Sequence, residues 1–341
     1  MCRMSRDIFN KRLIFKPFEY PELEDFAKPI QSTYWVHDEI NFDRDVQDFH
    51  TKLSETEKYV VGTILKSFAM TEVFVADEFW SQLPNYLPKP EIAMLSATFT
   101  ENEWRHANAY HRINEVLGLE DFDAFLKDEV AMAKFENLIK VRKDYDDKPS
   151  KTDVARTLAI FGAFTENVCL FSQFAILRSF SNNGRNLLNN IGNIIDWSQF
   201  DEQQHAKVAM YLFNKIKEEN PDIWTSEFKQ DIYTAAHITL NLEIDLIDQI
   251  LIHGDLPNLN KKDLINYMKN RINQSLITLG LKAVYNVNEE LLNNISWFDE
   301  KFVAMSHDDF FAKRPTDYTK KLIQFTAETV FVPRDEIKIK L

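Results

Sequence analysis

Two short motifs in the chain place a glutamate three residues before a histidine. Glu103 precedes His106 and Glu202 precedes His205, and only these two of the eight histidines follow a glutamate at this spacing. Residues three apart lie on the same face of an α-helix, so each motif can present a carboxylate and an imidazole together. Both groups bind divalent transition metals. The two motifs therefore predict metal ligands on two helices.

Two further glutamates stand among apolar residues. Glu72 shares the predicted inner face of its helix with four apolar side chains, which are Leu65, Phe68, Val75 and Phe79. Glu166 follows the apolar run 158–164, in which Gly162 and Ala163 are small enough to let another helix come close. A buried carboxylate without a partner costs several kcal/mol. Taken alone, each glutamate is compatible with a buried salt bridge, a satisfied core acid or a metal ligand.

Taken together, the four segments carry one Glu, one ExxH, one Glu and one ExxH in chain order. Ferritin-like dimetal carboxylate proteins use this set on four helices. Two divalent ions need about six protein ligands, and bridging carboxylates offset the positive charge. The pattern predicts a carboxylate-bridged two-metal site inside a bundle of long helices. Its ligands would be Glu72, Glu103, His106, Glu166, Glu202 and His205.

The composition favours long helices that could position these ligands. The 341 residues include only 7 Gly and 11 Pro, so turns must be few, while 27 Phe provide ample apolar surface to bury. Helices are predicted from a capping box at Ser54 to Pro84 and over residues 90–118, 121–145, 152–180, 187–218, 225–252 and 261–283. Residues 1–50 are predicted to be irregular, because prolines at 17, 21 and 29 interrupt every helical period.

Charge and targeting signals limit the classes of function. The net charge of −13 repels phosphate backbones and anionic lipids, so nucleic acid and membrane surfaces are poor partners. No stretch reaches about 18 uninterrupted apolar residues, and the charged start lacks the apolar core of a signal peptide. Cys2 and Cys169 form no disulfide framework. We expect a cytoplasmic, reduced protein.

At this point the sequence resembles the small, radical-generating subunit of class I ribonucleotide reductase. The resemblance runs from Trp35 to Tyr318. Residues 103–110 are similar to the family's ExxHxxxY motif, residues 201–205 to its DExxH motif, and residues 310–318 to its FFxKRxxxY motif. It implies an all-α, ferritin-like bundle with additional helices around a four-helix dimetal core. Residues 1–318 would form one domain, and residues 319–341 a flexible tail that docks on the large subunit.

The resemblance also implies a role for individual side chains. The six ligands are those named above, and Tyr110 is the side chain oxidised to a stored radical. Trp35, Asp201 and Tyr318 would relay the radical, with Asp201 accepting a hydrogen bond from His106. Glu72 stands where most members have Asp, and in this it resembles subgroups that use manganese. The cofactor could therefore be Fe/Fe, Mn/Mn or Mn/Fe, and either Tyr110 or the metal pair could store the oxidant.

The implied function is that of the small subunit of ribonucleoside-diphosphate reductase, active only with its large subunit. The site would react with oxygen or a reduced oxygen species and pass a one-electron oxidant to the partner. The chain itself has no nucleotide-binding fingerprint. A homodimer is implied, and a flavoprotein activator stays open. The alternatives are a self-contained dimetal oxidase or oxygenase, which needs no tail or relay, and ferritin-like metal storage, which needs no buried tyrosine.

Overall fold

Long helices account for most of the structure, as the sparse glycine and proline predict. The computed structural model describes residues 7–143, 149–182, 184–257 and 259–299, and within these ranges the chain forms helices and no β-strand. The α-helices are α1 (Glu22–Ser32), α2 (Asp43–Thr51), α3 (Glu55–Phe74), α4 (Leu83–Tyr86), α5 (Pro90–Leu117), α6 (Glu129–Lys143), α7 (Lys151–Leu158), α8 (Leu170–Ser179), α9 (Asn189–Glu219), α10 (Ser226–Ile250), α11 (Lys261–Thr278) and α12 (Glu289–Asn293). The predicted all-α class is confirmed.

Four helical runs form the centre of the bundle. The first is α3, which continues as a π-helix over Val75–Trp80, and the second is α5. The third consists of α7, a π-helix over Ala159–Cys169 and α8, and the fourth is α9. α3 packs along α5, and α9 packs along the longer π-helix, while α1, α10 and α11 cover these pairs and α6 packs on α10. The arrangement is a four-helix core with additional helices around it.

The predicted helix ends of the core are largely correct. Ser54 and Glu57 form the predicted capping box, in which Ser54 Oγ accepts from the Glu57 backbone N–H and the Ser54 N–H donates to the Glu57 carboxylate. α5 begins at Pro90 and ends at Gly118, whose φ of 72° closes the helix in the left-handed conformation. α11 ends at Thr278, before the predicted 283, because the chain turns at Gly280 with φ of 87°.

The prediction that residues 1–50 are irregular is wrong. α1 forms because Leu23, Ala27 and Ile30 recur at helical spacing and are buried, and its first turn is acidic. Pro29 lies in the last turn, where its missing N–H interrupts little of the helix. α2 consists mainly of polar residues, and two of its acidic side chains are buried. Its two buried carboxylates, on Asp45 and Asp48, accept from backbone N–H groups at the start of α9.

The two π-helices were not predicted. Residues 152–180 were expected to form one α-helix, but the run switches to the wider i→i+5 pattern at Ala159 and returns to α at Leu170. The first core helix likewise leaves the α pattern at Val75, before Pro84. The spacing of apolar residues indicates a helix only where polar residues mark its other face. In a segment that is apolar all round, one extra residue in a turn does not change that pattern enough to be recognised.

The close helix approach predicted at Gly162 is confirmed. A Cβ added at Gly162 would lie 2.0 Å from the Cβ of Ala209 on α9, so only glycine permits this spacing. The contact brings the π-helix that carries Glu166 directly against the helix that carries Glu202 and His205.

The described residues belong to one unit spanning Met1–Glu300. The predicted boundary at residue 318, the tail 319–341 and Tyr318 lie outside them. Two helical runs, Glu55–Tyr86 and Lys151–Ser179, are long and apolar enough to cross a membrane by composition alone. Their most apolar windows are 61% and 89% buried within the protein, and both runs belong to the four-helix core. Their apolar character is that of core helices.

Candidate metal centre

The six predicted ligands converge at the centre of the bundle, and each is fully buried. Their ligand atoms fall into two groups, and within each group all atoms lie within 4.8 Å of one another. The first subsite consists of Glu72, Glu103, His106 and Glu202; the second subsite consists of Glu103, Glu166, Glu202 and His205. Glu103 and Glu202 belong to both groups. The structure thus places two metal-sized positions side by side, with two carboxylates able to bridge them.

The two ExxH motifs face each other across the centre. His106 Nδ1 lies 2.8 Å from Glu202 Oε1, and His205 Nδ1 lies 2.7 Å from Glu103 Oε1. The distance from each Nδ1 to the glutamate of its own motif is 3.4 Å. Each imidazole therefore lies closer to the glutamate of the other motif than to its own. This crossed arrangement follows from two regular helices whose i, i+3 faces oppose each other.

The hydrogen bonding of these groups fits a pair of cations. Both oxygens of Glu72, Glu103 and Glu202, one oxygen of Glu166 and Nδ1 of both histidines have no hydrogen-bond partner among the described residues. Buried polar atoms are normally paired, and unpaired carboxylates are costly. Atoms about 2.1 Å from an octahedral ion lie about 3 Å from one another, close to the spacing observed. Oxygen and imidazole donors suit iron or manganese.

Burial and mutual repulsion shift the proton affinities within the cluster. Burial, with Glu202 close by, raises the pKa of Glu72 well above its usual range, and burial likewise raises the pKa of Glu166. Burial also acts to raise the pKa of Glu103, but the neighbouring imidazoles outweigh it and hold that pKa below its usual value. Bound divalent cations would favour ionised carboxylates throughout the cluster.

Asp201 lies behind the first subsite in the predicted contact. Its Oδ2 is 3.1 Å from His106 Nε2 and accepts from Trp35 Nε1 at 2.9 Å. The Trp35 ring stacks on the His106 ring with centroids 5.5 Å apart and an interplanar angle of 17°. Asn102, which was not predicted, also donates to Asp201 Oδ2 at 2.9 Å. It stands four residues before His106, so helical spacing alone could have indicated it.

Tyr110 is fully buried beside the first subsite. Its ring packs on Phe68 with centroids 4.8 Å apart, and Phe68 packs on Phe174 at 5.1 Å. Burial, and then the nearby carboxylate of Glu72, raises the pKa of the Tyr110 phenol well above its usual value. The phenol therefore stays protonated and is shielded from water, which is the environment predicted for a stored radical. Its redox role stays a prediction.

Trp80 is a contact of the second subsite that the sequence did not predict. Its indole Nε1 donates to Glu166 Oε1 at 2.8 Å. A regular α-helix would have turned Phe79, seven residues after Glu72, toward the site, and no sequence signal marked the π-helix that changes this.

The fold and the site define a ferritin-like dimetal carboxylate protein. The family model for the ribonucleotide reductase small chain matches residues 12–291, and the chain belongs to this family. A probable ribonucleoside-diphosphate reductase small subunit of Invertebrate iridescent virus 3 is 31% identical over 326 residues, covering 91% of this chain and 85% of the relative. The family and enzyme class predicted from the motifs are confirmed.

Solved structures show the same fold. The ribonucleotide reductase R2 subunit of Clostridium botulinum aligns with a TM-score of 0.77 at 18% identity and covers 88% of this chain and 98% of that one. An R2-like ligand-binding oxidase with a reconstituted Mn/Fe cofactor aligns with a TM-score of 0.62 at 17% identity, covering 78% of this chain and 95% of that one. At these identities the likeness concerns the fold, and the predicted ferritin-like architecture is confirmed.

Proposed function

We propose that the six converging side chains hold two ions of iron or manganese, and that the chain uses them to make a one-electron oxidant for the reductase large subunit. The observation that carries the proposal is the pair of ligand groups sharing Glu103 and Glu202, fully buried and short of hydrogen-bond partners. When bound, the metal pair supplies one-electron redox chemistry with oxygen or a reduced oxygen species.

The protein's own residues protect and store the oxidant. All six ligands are fully buried, so bulk water is kept from the centre. Oxidation of Tyr110 would pass one electron to the bound metal pair and the phenol proton to the neighbouring Glu72 carboxylate, and would leave a neutral phenoxyl radical. The Phe68 ring packs on Tyr110, and Phe174 packs on Phe68, so this side of the phenol is apolar. Glu72 belongs to the first subsite and lies near the Tyr110 phenol. It stands where most family members have Asp, as in the subgroups that use manganese, and this supports manganese as one of the ions.

A continuous contact path leads out of the first subsite. His106, Asp201 and Trp35 are joined by contacts of 3.1 Å and 2.9 Å, and Trp35 also packs on Trp197 at 5.4 Å. We propose that this path carries the one-electron oxidant toward the large subunit, with Tyr318 as the next residue that transfers the radical. The tail 319–341 would dock on that partner, and its mixed charge with alternating apolar residues suits ordering upon binding.

The family assignment supports the wider setting of this proposal. We propose that the chain acts as a homodimer in the cytoplasm together with its large subunit, with a flavoprotein activator as a further candidate partner. A self-contained oxidase on the same scaffold is the second candidate, because the chain shares its fold with an R2-like ligand-binding oxidase.

One experiment tests the main proposal. The purified chain is loaded with iron, manganese or both, exposed to oxygen, and examined by electron paramagnetic resonance and metal analysis. We expect a tyrosyl signal that Tyr110→Phe abolishes and that Tyr20→Phe retains, because the buried Tyr20 hydroxyl bonds Glu219 and no predicted ligand. Ribonucleotide reduction should need the added large subunit. Substrate turnover by the small chain alone would contradict the proposal and favour the oxidase.

A further inference from the structure

The second subsite has an indole donor directly on one of its ligands. Trp80 Nε1 donates to Glu166 Oε1 at 2.8 Å, and both side chains are fully buried. The other oxygen, Glu166 Oε2, has no hydrogen-bond partner among the described residues. A carboxylate held in this way has one oxygen fixed by the protein and the other free to face a cation. Outer partners of this kind orient metal ligands.

The π-helix Val75–Trp80 places the indole there. In an α-helix, the residue seven positions after Glu72 completes two turns and faces the same side, which would be Phe79. A π-turn contains one residue more, so the residue eight positions on takes that place, which is Trp80. The departure from α geometry therefore has a consequence at the metal centre, since it replaces a phenyl ring with a hydrogen-bond donor.

Packing holds the indole in this position. The Trp80 ring meets Phe99 edge-on at 4.8 Å and Phe79 at 4.7 Å, and it lies 5.5 Å from the ring of His205. Ser96 Oγ donates to the Trp80 carbonyl oxygen, which ties the end of the π-helix to α5. With no exposed surface and three packed ring neighbours, the side chain cannot change rotamer without moving the core.

A comparison with Trp35 shows what this indole can do. Both tryptophan rings lie 5.5 Å from the histidine ring of one subsite. Trp35 bonds Asp201, and the Arg105 guanidinium next to it also contacts Tyr34, which is 43% exposed. The ring neighbours of Trp80 are all buried, so Trp80 starts no comparable path for an electron to the protein surface. Its hydrogen bond goes to a ligand, which suits it for positioning.

We propose that Trp80 is a positioning residue that fixes the Glu166 carboxylate and thereby sets the metal affinity of the second subsite. The inference rests on the proposed two-metal centre. Removing an outer partner of a metal ligand weakens metal binding by about 10–100-fold. Because Trp80 contacts no ligand that belongs to the first subsite alone, the loss should fall on one of the two ions.

The test compares matched variants titrated with Mn²⁺ alone. Trp80→Phe keeps an aromatic ring and removes the donor, while Phe79→Leu disturbs the packing beside Trp80 and keeps the hydrogen bond. Glu166→Ala removes the ligand itself and serves as the reference. Manganese per chain is measured after dialysis, and electron paramagnetic resonance distinguishes isolated from paired Mn²⁺. Circular dichroism checks folding, and Trp80→Met repeats the test should Trp80→Phe not fold, because methionine fills irregular core space.

We expect wild type and Phe79→Leu to bind two paired ions. Trp80→Phe should bind the first ion with unchanged affinity and the second about 10–100-fold more weakly, so that isolated Mn²⁺ dominates at low concentration. Equal affinities in Trp80→Phe and wild type, or the same loss in Phe79→Leu, would overturn the role of Trp80. If Glu166→Ala also retains both ions, the ligand set itself is wrong, which is a separate failure of the proposed function.

Discussion

The two helices that carry ExxH motifs differ from the two runs that carry a single glutamate. α5 and α9 are regular over 28 and 31 residues, and each presents its Glu and His on one face. The other two runs leave the α pattern near the site, with Glu166 inside one π-helix and Glu72 three residues before another. In the regular helices the i, i+3 spacing places the Glu and the His of each motif on one face. In the irregular runs, Glu166 on one run accepts a hydrogen bond from Trp80 on the other.

This contrast divides the work of building the centre. Glu103 and Glu202, on the regular helices, reach both subsites, while Glu72 and Glu166 each serve one. The bridging ligands therefore stand on the most regular backbone. The terminal carboxylates stand next to or within a π-helix, and α5 and α11 donate hydrogen bonds to backbone carbonyls of these two π-helices. Three pairs of variants test this difference between the regular and irregular runs.

The largest effect is expected for the bridging ligands. Glu103→Ala should abolish stable binding of both ions, because its carboxylate belongs to both groups, whereas Glu72→Ala should lose one ion. Glu243→Gln is the matched control, since Glu243 is equally buried but pairs with Lys134 outside the site, and it should retain two ions. Manganese per chain after dialysis is the measurement. Loss of only one ion in Glu103→Ala would remove the distinction between bridging and terminal ligands.

A smaller effect concerns the spacing between helices. Gly162→Ala should lower the free energy of unfolding by about 1–3 kcal/mol, because the new methyl would clash with Ala209. Gly62→Ala, inside regular α3, should raise the free energy of unfolding by about 0.5–1 kcal/mol, because alanine favours a helix more than glycine does. The added Cβ fits, since it would lie 3.5 Å from the Leu119 side chain. Denaturant unfolding of both variants gives the comparison. Similar stabilities for the two would show that the π-helix is not packed more tightly than α3.

The smallest effect concerns the support of the longer π-helix by α11. Ser275 Oγ donates to the Ala163 carbonyl at 2.7 Å and accepts from Asn167 at 2.8 Å. Ser275→Ala should lower the free energy of unfolding by about 1–2 kcal/mol, since buried groups lose partners. Thr278→Ala, an exposed hydroxyl on the same helix, should change it by less than about 0.5 kcal/mol. Equal changes in both variants, measured by denaturant unfolding, would argue against this support.

The same contrast explains how much could be read from the sequence. Both ExxH motifs were predicted because regular helices obey i, i+3 spacing, and Glu72 because it interrupts an apolar face. Asn102 obeys the same spacing and could have been found. Trp80 could not, because its position depends on a π-turn that periodicity does not reveal.

The helices within residues 1–50 were missed for a different reason. Prolines and polar residues in a short segment predict irregular chain. What stabilises α2 is its contact with the start of α9, far away in sequence, through Asp45 and Asp48. Such long-range capping appears only once the fold is known.

That capping contact has a mechanical consequence. Asp45 accepts from the Asn190 N–H at the start of α9, and Trp35, ten residues earlier in the chain, bonds Asp201 on the same helix. The two attachment points on α9 are about 16 Å apart at 1.5 Å per residue. The stretch 35–45 is thus attached to α9 at both of its ends. We expect these two attachment points to restrict the movement of Trp35 relative to Asp201.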